Sequence, residues 1–425
     1  MPIPYSGPGR RLRVLATALA AVLALESLAP AIAWGEPAPA FPELLRAAET
    51  APRTREADAG VDQAEGQLRQ AGTRPNPEVG IAVESFAGSG PYRGFDQAET
   101  TVEVSQTFEL GGKRPARIGS ARAELATARA RRTQARADLA HDLAIAYAEA
   151  EAAARKVGQA EVALTLAMED ARIATALVEA GREAEVRAIQ ARSAVAAARA
   201  DLDAAKVAAD EALARLSAMS GAAVPFTSLS GSLLTLTPPV TANTPIDVMT
   251  VPAVMVASAE RDAAASRVQV ERTRAAPDAT VSVGARRYAG DDATALVAGV
   301  SVPLPVFDQN RGAVSAAQAE LRAAEARLDG VRGEAEADIR IGYRQIGVAE
   351  SQVAAAAEVE RAAEEVYRLT RIGYESGRLP LSEVVVARRA LSEARLRTLD
   401  AQLNRVRAEA AIARLQGRAP FGGPL

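Results

Sequence analysis

The chain has 425 residues, a formal net charge of −3, no cysteine and one histidine. This charge balance gives no reason to expect a nucleic-acid partner. The lack of cysteine excludes disulfides, thiolate metal sites and a cysteine nucleophile, and we expect no lipid-anchored cysteine at the mature N-terminus. Aromatic residues make up only 4% of the chain and alanine is abundant, which suits long, closely packed helices better than a large globular core.

The first 33 residues have the pattern of an export signal. Three arginines within residues 10–13 precede the apolar run VLATALAAVLAL, and small residues surround Ala33 as they do at a cleavage site. A retained anchor helix is the alternative, but Glu26 and Pro30 interrupt the run short of a ~20-residue span. We therefore expect cleavage after Ala33 and export of the mature chain.

The chain repeats itself. Shifted by 196 positions, the Gly-Arg pair at 181–182 aligns with the pair at 377–378, and no gap is needed around them. A fixed period of this kind indicates two copies of one unit. The segment between the copies is rich in Ser, Thr and Pro, as linkers are. The predicted divisions are a signal at 1–33, repeat one at 41–221, a linker or equatorial segment at 222–244, repeat two at 245–417 and a tail at 418–425.

Each copy contains two short stretches in which apolar and polar residues alternate. In TVEVSQTFEL, Val102, Val104 and Phe108 share one face, whereas Glu103 and Glu109 share the other. A period of two is typical of a strand with one apolar and one polar face. Four strands are predicted, at about 78–87, 100–110, 279–288 and 295–304.

Each pair of strands is followed by a helical pattern of about 65 residues, or ~100 Å. In the first copy every position of the heptad seam from Leu139 to Val178 is apolar, and in the second only Glu360 and Thr370 interrupt the seam. Sustained seams of this kind are typical of coiled coils. The fold is therefore predicted to be mainly α, with long helical hairpins at 115–219 and 311–416.

Four two-faced strands per chain cannot stay open in lipid, because each unpaired backbone group there costs several kcal/mol. The smallest membrane barrels have eight strands, and a barrel of that size fills its interior with side chains. Three chains give twelve strands and leave room for water around Glu103, Glu109 and Arg286. We therefore expect a trimeric twelve-strand barrel that continues into a tube of long helices.

The duplicated plan and four of its segments resemble the TolC-type outer-membrane efflux factors. These segments are ELGGKR at 109–114, EAGREAEVRAIQAR at 179–192, PLPVFDQNRG at 303–312 and ESGRLPLSEVVVAR at 375–388. ELGGKR in particular resembles the heavy-metal branch that serves cobalt–zinc–cadmium pumps. The resemblance covers nearly all of the mature chain.

The resemblance implies a homotrimeric exit duct, with a twelve-strand barrel in the outer membrane of a Gram-negative bacterium and an α-helical barrel in the periplasm. It implies passive conduction of substrate, with heavy-metal cations expected. It also implies three kinds of partner besides the chain itself: a periplasmic adaptor (membrane fusion) protein, a proton-driven inner-membrane pump of the RND type, and outer-membrane lipid.

The two equivalent Gly-Arg turns each end a long helix and start a shorter one, so each is expected at the tip of a helical hairpin. Glycine suits such turns because it accepts a positive φ. The segment GRLPLS, at 377–382, resembles the tip that contacts the adaptor in this family. The residues predicted at the adaptor contact are Gly181, Arg182, Gly377, Arg378, Leu379 and Ser382.

Beyond the second tip, members of the family can carry two acidic residues that ring a closed entrance. The matching positions here are Glu383 and Val386, so a double ring is not expected. Three copies of Glu383 in a trimer would form a narrow acidic mouth that attracts cations. The alternative is an exposed glutamate that merely favours the dipole at its helix start.

The stretch around Gly111, Gly112 and Lys113 resembles a phosphate loop only superficially. The first glycine of GxxxxGK[ST] is missing, and Arg114 stands where a hydroxyl is required. We expect the two glycines to turn the chain sharply from barrel into tunnel. Lys113 and Arg114 are then expected near lipid head groups, or, as the alternative, simply in solvent.

No pattern indicates catalysis, a cofactor or a bound metal. His141 is the only imidazole, and transition-metal sites need clustered ligands. No nucleophile–base pair points to an exported enzyme. The competing class is a periplasmic coiled-coil adaptor or scaffold without a barrel, but an adaptor needs only one long helical hairpin, whereas this chain predicts two hairpins and four strands.

Overall fold

The computed structural model describes residues 35–236 and 245–422. The predicted export signal, the C-terminal part of the linker at 237–244 and the last three residues fall outside this range. The described chain is mainly helical and contains the tandem repeat that the sequence predicts.

Repeat one begins with two helices, continues through a strand pair, and ends in a long helical hairpin. Its elements are α1 Phe41–Ala47, α2 Pro52–Ala71, β2 Glu78–Glu84, β3 Glu99–Phe108, α3 Lys113–Glu179 and α4 Glu185–Ser220. A short strand, β1 Glu36–Ala38, precedes it and pairs in parallel with β4 Phe226–Leu229 in the linker.

Repeat two has the same order of elements, except that one α-helix instead of two precedes its strands. They are α5 Pro252–Arg274, β5 Ala279–Tyr288, β6 Ala293–Ser301, α6 Arg311–Glu375 and α7 Leu381–Leu415. The two long helices, α3 and α6, have 67 and 65 residues, which corresponds to about 100 Å each.

The four longer strands form one antiparallel sheet in the order β2-β3-β5-β6. The central pair joins the two repeats, with Val104 opposite Val283 and Glu103 opposite Gly284. The outer strands β2 and β6 each pair on one side only. Within the described residues, a single chain therefore carries a sheet with two open edges.

Three strands end earlier than the sequence predicts. Strand β2 stops before Ser85, whose positive φ of 57° breaks the extended conformation. Strand β6 stops at Ser301, and Pro303, which has no N–H to donate to a ladder, follows shortly after. Strand β3 stops at Phe108, so the predicted placement of Glu109 on this strand is wrong.

The turn from β3 into α3 depends on two glycines. Gly111 and Gly112 have φ values of +66° and +79°, which a residue with a Cβ adopts only at a cost. A Cβ at Gly111 would lie 2.2 Å from the Cβ of Ala276. The second repeat makes the corresponding turn with Asn310 at φ +57°, because Asn tolerates the left-handed region better than most residues.

The largest core lies where the helical hairpins meet the linker. Leu143 and Tyr147 of α3, Leu216 of α4 and Val406 of α7 are fully buried there. Towards the hairpin tips the predicted seam is only partly buried in a single chain, as at Val157 and Val178. The hairpins are therefore anchored firmly at the linker and expose more surface with distance from it.

Candidate functional site

One face of the sheet is apolar and exposed. The exposed fraction is 71% for Ile81 and 88% for Leu296, and the strand register brings similar residues together on the same face. These residues are Val79, Ile81, Val83, Val102, Val104, Val281, Val283, Leu296 and Val300. An exposed apolar face of this extent is rare in a water-soluble monomer and marks an interaction with lipid or protein.

The opposite face carries a polar network centred on Arg286. Its guanidinium lies 3.0 Å from a carboxylate oxygen of Glu99 and 3.3 Å from one of Glu84, and its Nε donates a 2.9 Å hydrogen bond to Thr101. The network links β2, β3 and β5. Arg286 therefore compensates two carboxylates within the sheet, whereas the other face is apolar over most of its area and its Arg287 pairs with Asp292 at the end of the hairpin, at 3.1 Å.

Glu103 lies on the same polar face in a different setting. Its neighbours across the two ladders are Gly80 and Gly284, and a Cβ at Gly284 would lie 2.8 Å from the Cβ of Glu103. In the part of the chain that the structure describes, no ion pair reaches its carboxylate. Glu103 therefore keeps its charge uncompensated, in a gap that the two glycines leave open.

Glu109 belongs to the junction between sheet and helix. Both of its carboxylate oxygens are bound by the guanidinium of Arg117 on α3, one of them at 3.1 Å. Arg117 also donates to the carbonyl oxygens of Ala71 and Thr73, at 2.9 and 3.0 Å. The sequence grouped Glu109 with Glu103, but the structure separates them and makes Glu109 one partner in a structural clamp.

Lys113 and Arg114 also have partners within the chain. The ammonium of Lys113 lies 2.7 Å from a carboxylate oxygen of Asp278, and Arg114 Nε donates to the carbonyl of Gly72 at 2.8 Å. The sequence analysis expected Lys113 and Arg114 near lipid head groups or in open solvent, and it did not predict these contacts within the chain. They tie the start of α3 to the chain just before β2 and β5, which fixes the sheet on top of the long helices.

The two hairpin tips have the same backbone geometry. Gly181 and Gly377 have φ values of +69° and +70°. The N–H of Arg182 donates to the carbonyl of Leu177 at 2.9 Å, and the N–H of Arg378 donates to that of Gly373 at 2.8 Å. These bonds close the last helical turn as in a Schellman motif.

The second tip differs from the first in one contact. Leu379 folds back onto Gly373, where a Cβ would lie 2.7 Å from its Cδ1, and the equivalent position of repeat one is occupied by the larger Leu177. Ser382 and Glu383 are exposed at the start of α7, and Val386 is 64% exposed. Within the described residues the carboxylate of Glu383 has no ion-pair partner.

The Nδ1 atom of His141 lies within hydrogen-bond distance of a carboxylate oxygen of Asp142, at 3.1 Å, and the His141 side chain is mostly buried. The described residues contain no group of three or more His, Cys, Asp or Glu side chains that could hold a metal ion. In the same residues, each helix is too short or too polar to cross a lipid bilayer.

The sequence analysis did not identify two buried carboxylates. Glu151 of α3 is 6% exposed and binds the linker, and Glu409 of α7 is nearly as buried. Glu409 corresponds to Leu213 under the 196-residue shift, so a comparison of core positions between the repeats would have found it. Glu151 gives no such signal, since two of the groups that it binds in the linker are backbone N–H groups.

The family comparison matches both repeats. The model for the family described as outer membrane efflux protein matches residues 44–222 and 250–418. An adaptor or scaffold without a barrel, the alternative considered from the sequence, is not supported by this match.

Curated relatives match along most of their length. The chain is 41% identical over 364 residues to the nickel-cobalt-cadmium resistance protein NccC of Alcaligenes xylosoxydans xylosoxydans, covering 85% of this chain and 83% of that protein. It is 44% identical over 321 residues to the nickel and cobalt resistance protein CnrC of Cupriavidus metallidurans, covering 75% and 76% of the two chains.

Among solved structures, the fold is similar to that of the CmeC outer membrane channel of Campylobacter jejuni. The TM-score is 0.76 at 14% sequence identity, and the match covers 90% of this chain and 86% of the other. The exposed apolar sheet face, the tandem repeat and both long hairpins fit these findings. The chain belongs to the outer membrane efflux protein family.

Proposed function

We propose that this protein is the outer-membrane exit duct of a tripartite efflux system and that it conducts heavy-metal cations passively. The observation that carries the proposal is the sheet. It has an exposed apolar face, a polar face on which Arg286 compensates two carboxylates, and two open edges, and it stands at one end of helices about 100 Å long.

The proposed barrel contains three copies of the chain. Strands β2 and β6 have unpaired edges, and in lipid these must pair because a lone backbone N–H or C=O there costs several kcal/mol. Pairing β6 of one chain with β2 of the next closes a ring of twelve strands. A ring of this size leaves space inside for water and for the uncompensated Glu103.

The proposed partners lie at the other end of the molecule. The exposed tips at 181–182 and 377–382 are furthest from the sheet along α3 and α6, so they are the first surfaces that a periplasmic adaptor would meet. We propose that Arg378, Leu379 and Ser382 contact the adaptor, which joins the duct to a proton-driven inner-membrane pump.

The substrate class is proposed from the relatives and from charge. Both relatives are named for resistance to nickel and cobalt, and one of them also for resistance to cadmium. A duct for such ions benefits from fixed negative charge, which raises the local concentration of cations. Glu103 in the barrel and Glu383 at the entrance are the two uncompensated carboxylates that we propose for this role.

Loss of the protein should make its host more sensitive to these metals. We expect disruption of the gene to lower the inhibitory concentrations of nickel, cobalt or cadmium salts several-fold, and expression from a plasmid to restore them. Growth assays with each metal and with common drugs measure the effect. Unchanged tolerance to every metal, together with greater sensitivity to drugs, would contradict the substrate class but not the duct.

The two faces of β3 should respond differently to a charge. Val104→Arg places a guanidinium on the apolar face and should cost about 2–4 kcal/mol if the site is near the bilayer midplane, whereas Ser105→Arg on the polar face should cost far less. The amount of assembled protein in outer-membrane fractions measures the difference. Equal losses in both variants would refute the assignment of Val104 to lipid.

A charge at the entrance should affect ion selectivity. We expect Glu383→Gln to reduce the preference for cations in reconstituted channels, because three carboxylates at a narrow mouth attract cations. The matched control is Glu393→Gln, which removes an exposed acid further along α7. Reversal potentials in a salt gradient measure selectivity, and identical values for wild type and Glu383→Gln would remove Glu383 from the entrance.

A further inference from the structure

The linker between the repeats is fastened to both of them. We call residues 231–236 the strap. Leu233 and Leu234 of the strap are each 1% exposed and lie in the core that α3, α4 and α7 share. These two side chains hold the strap in place by burial, but its backbone groups also need partners there.

Repeat one supplies the acceptors. The carboxylate of Glu151 on α3 accepts hydrogen bonds from the N–H groups of Leu233 and Leu234, at 2.7 and 3.1 Å, and from the hydroxyl of Ser232. Arg155 binds the same carboxylate at 2.7 Å. The charge of Glu151 is therefore fully compensated, although the side chain is buried.

Repeat two supplies the donor. Arg405 on α7 donates from Nη2 to the carbonyl oxygen of Leu234 at 3.0 Å and to that of Leu236 at 2.7 Å. The N–H groups of Leu233 and Leu234 are thus bound by α3, and the carbonyl groups of Leu234 and Leu236 by α7. The strap fastens the hairpin of one repeat to the hairpin of the other.

A second carboxylate lies one helical turn from Arg405 without a comparable set of partners. Glu409 Oε1 is 3.5 Å from Arg405 Nε, and the side chain is 10% exposed. Within the described residues, neither oxygen of Glu409 nor the Nε of Arg405 has a hydrogen-bond partner. Repeat one has the apolar Leu213 at this position, also buried, so the acid is specific to the repeat that holds the strap through an arginine.

We propose that Glu409 is a proton-controlled latch on the strap. In the structure Arg405 bonds the strap carbonyls while its Nε lies within ion-pair distance of Glu409, and we assign this arrangement to neutral Glu409. When Glu409 is ionised, its buried charge requires a donor, and the guanidinium of Arg405 is the nearest one. A bond from a guanidinium to a carboxylate joins two opposite charges and is stronger than a bond from the same guanidinium to a neutral carbonyl, so Arg405 moves from the strap to Glu409 and the fastening between the repeats loosens.

The charges around the latch place this change near neutral pH. Burial raises the pKa of Glu409 to about 7, with Arg405 opposing the rise and Glu350 on α6 adding to it. The other charged groups at the strap are Glu151 and Arg155, which pair with each other. Because the folded-state pKa is raised, the neutral form prevails below about pH 7, and the fastening is lost as the pH rises through that value.

A spin label on the strap tests the proposal in the full-length protein. The chain has no cysteine, so Leu236→Cys creates a unique site for a nitroxide, and the Leu236 side chain is 44% exposed. The backbone carbonyl that Arg405 binds is retained. We expect the mobile fraction in the spectrum to rise at least about threefold between about pH 5.5 and 8.5, with its midpoint near the pKa of Glu409.

Substitutions of Glu409 and Arg405 test whether the pH response of the label comes from the latch or from a general effect of pH. Glu409→Gln and Glu409→Leu, the second of which reproduces repeat one, should keep the label immobile over the whole range. Arg405→Gln should make it mobile at every pH, and Glu393→Gln, a distant acid on α7, should behave like wild type. An unchanged pH response in either Glu409 variant, or no response in wild type, would overturn the proposal.

Discussion

The structure depends on a sheet that one chain cannot complete. Each chain contributes four strands with an apolar outer face, and each leaves an edge of β2 and an edge of β6 without partners. In lipid such edges are not tolerated, which is why we propose that several chains assemble. On the polar face Arg286 compensates Glu84 and Glu99 inside the sheet, and Glu103 is the carboxylate that we propose faces the conducted ions.

Contacts at two levels below the sheet hold the long helices in place. The junction clamps, Arg117 on Glu109 and Lys113 on Asp278, fix the direction in which the long helices leave the sheet. Further down, the core around Tyr147 and the strap fastens the two hairpins to each other. Beyond the strap the two hairpins are still joined by ion pairs between α3 and α7, which link Lys156 to Asp400 and Arg388 to Asp170. The molecule is therefore rigid at the junction and the strap, and least constrained by its own contacts at the tips.

The strands, the long helices and the duplication could be predicted from the sequence because each produces a periodic pattern. The alternation around Val104, the apolar seam from Leu139 and the 196-residue repeat each report a regular element that local spacing determines. The strand ends and the clamps are different. The pairing of Glu109 with Arg117 depends on where the glycine turn directs α3, and no spacing rule predicts that direction. The contacts between Glu151 and the strap were not predicted for a related reason, since two of them are with backbone N–H groups, which every residue except proline has.

The central claim is that three chains close the sheet, and the mass of the protein in detergent tests it most directly. Native mass spectrometry of channels that conduct after reconstitution should give three times the mass of the processed chain, because only three copies yield twelve strands around a water-filled interior. A conducting monomer or dimer would contradict the account, because four or eight strands leave no room for an aqueous path past Glu103.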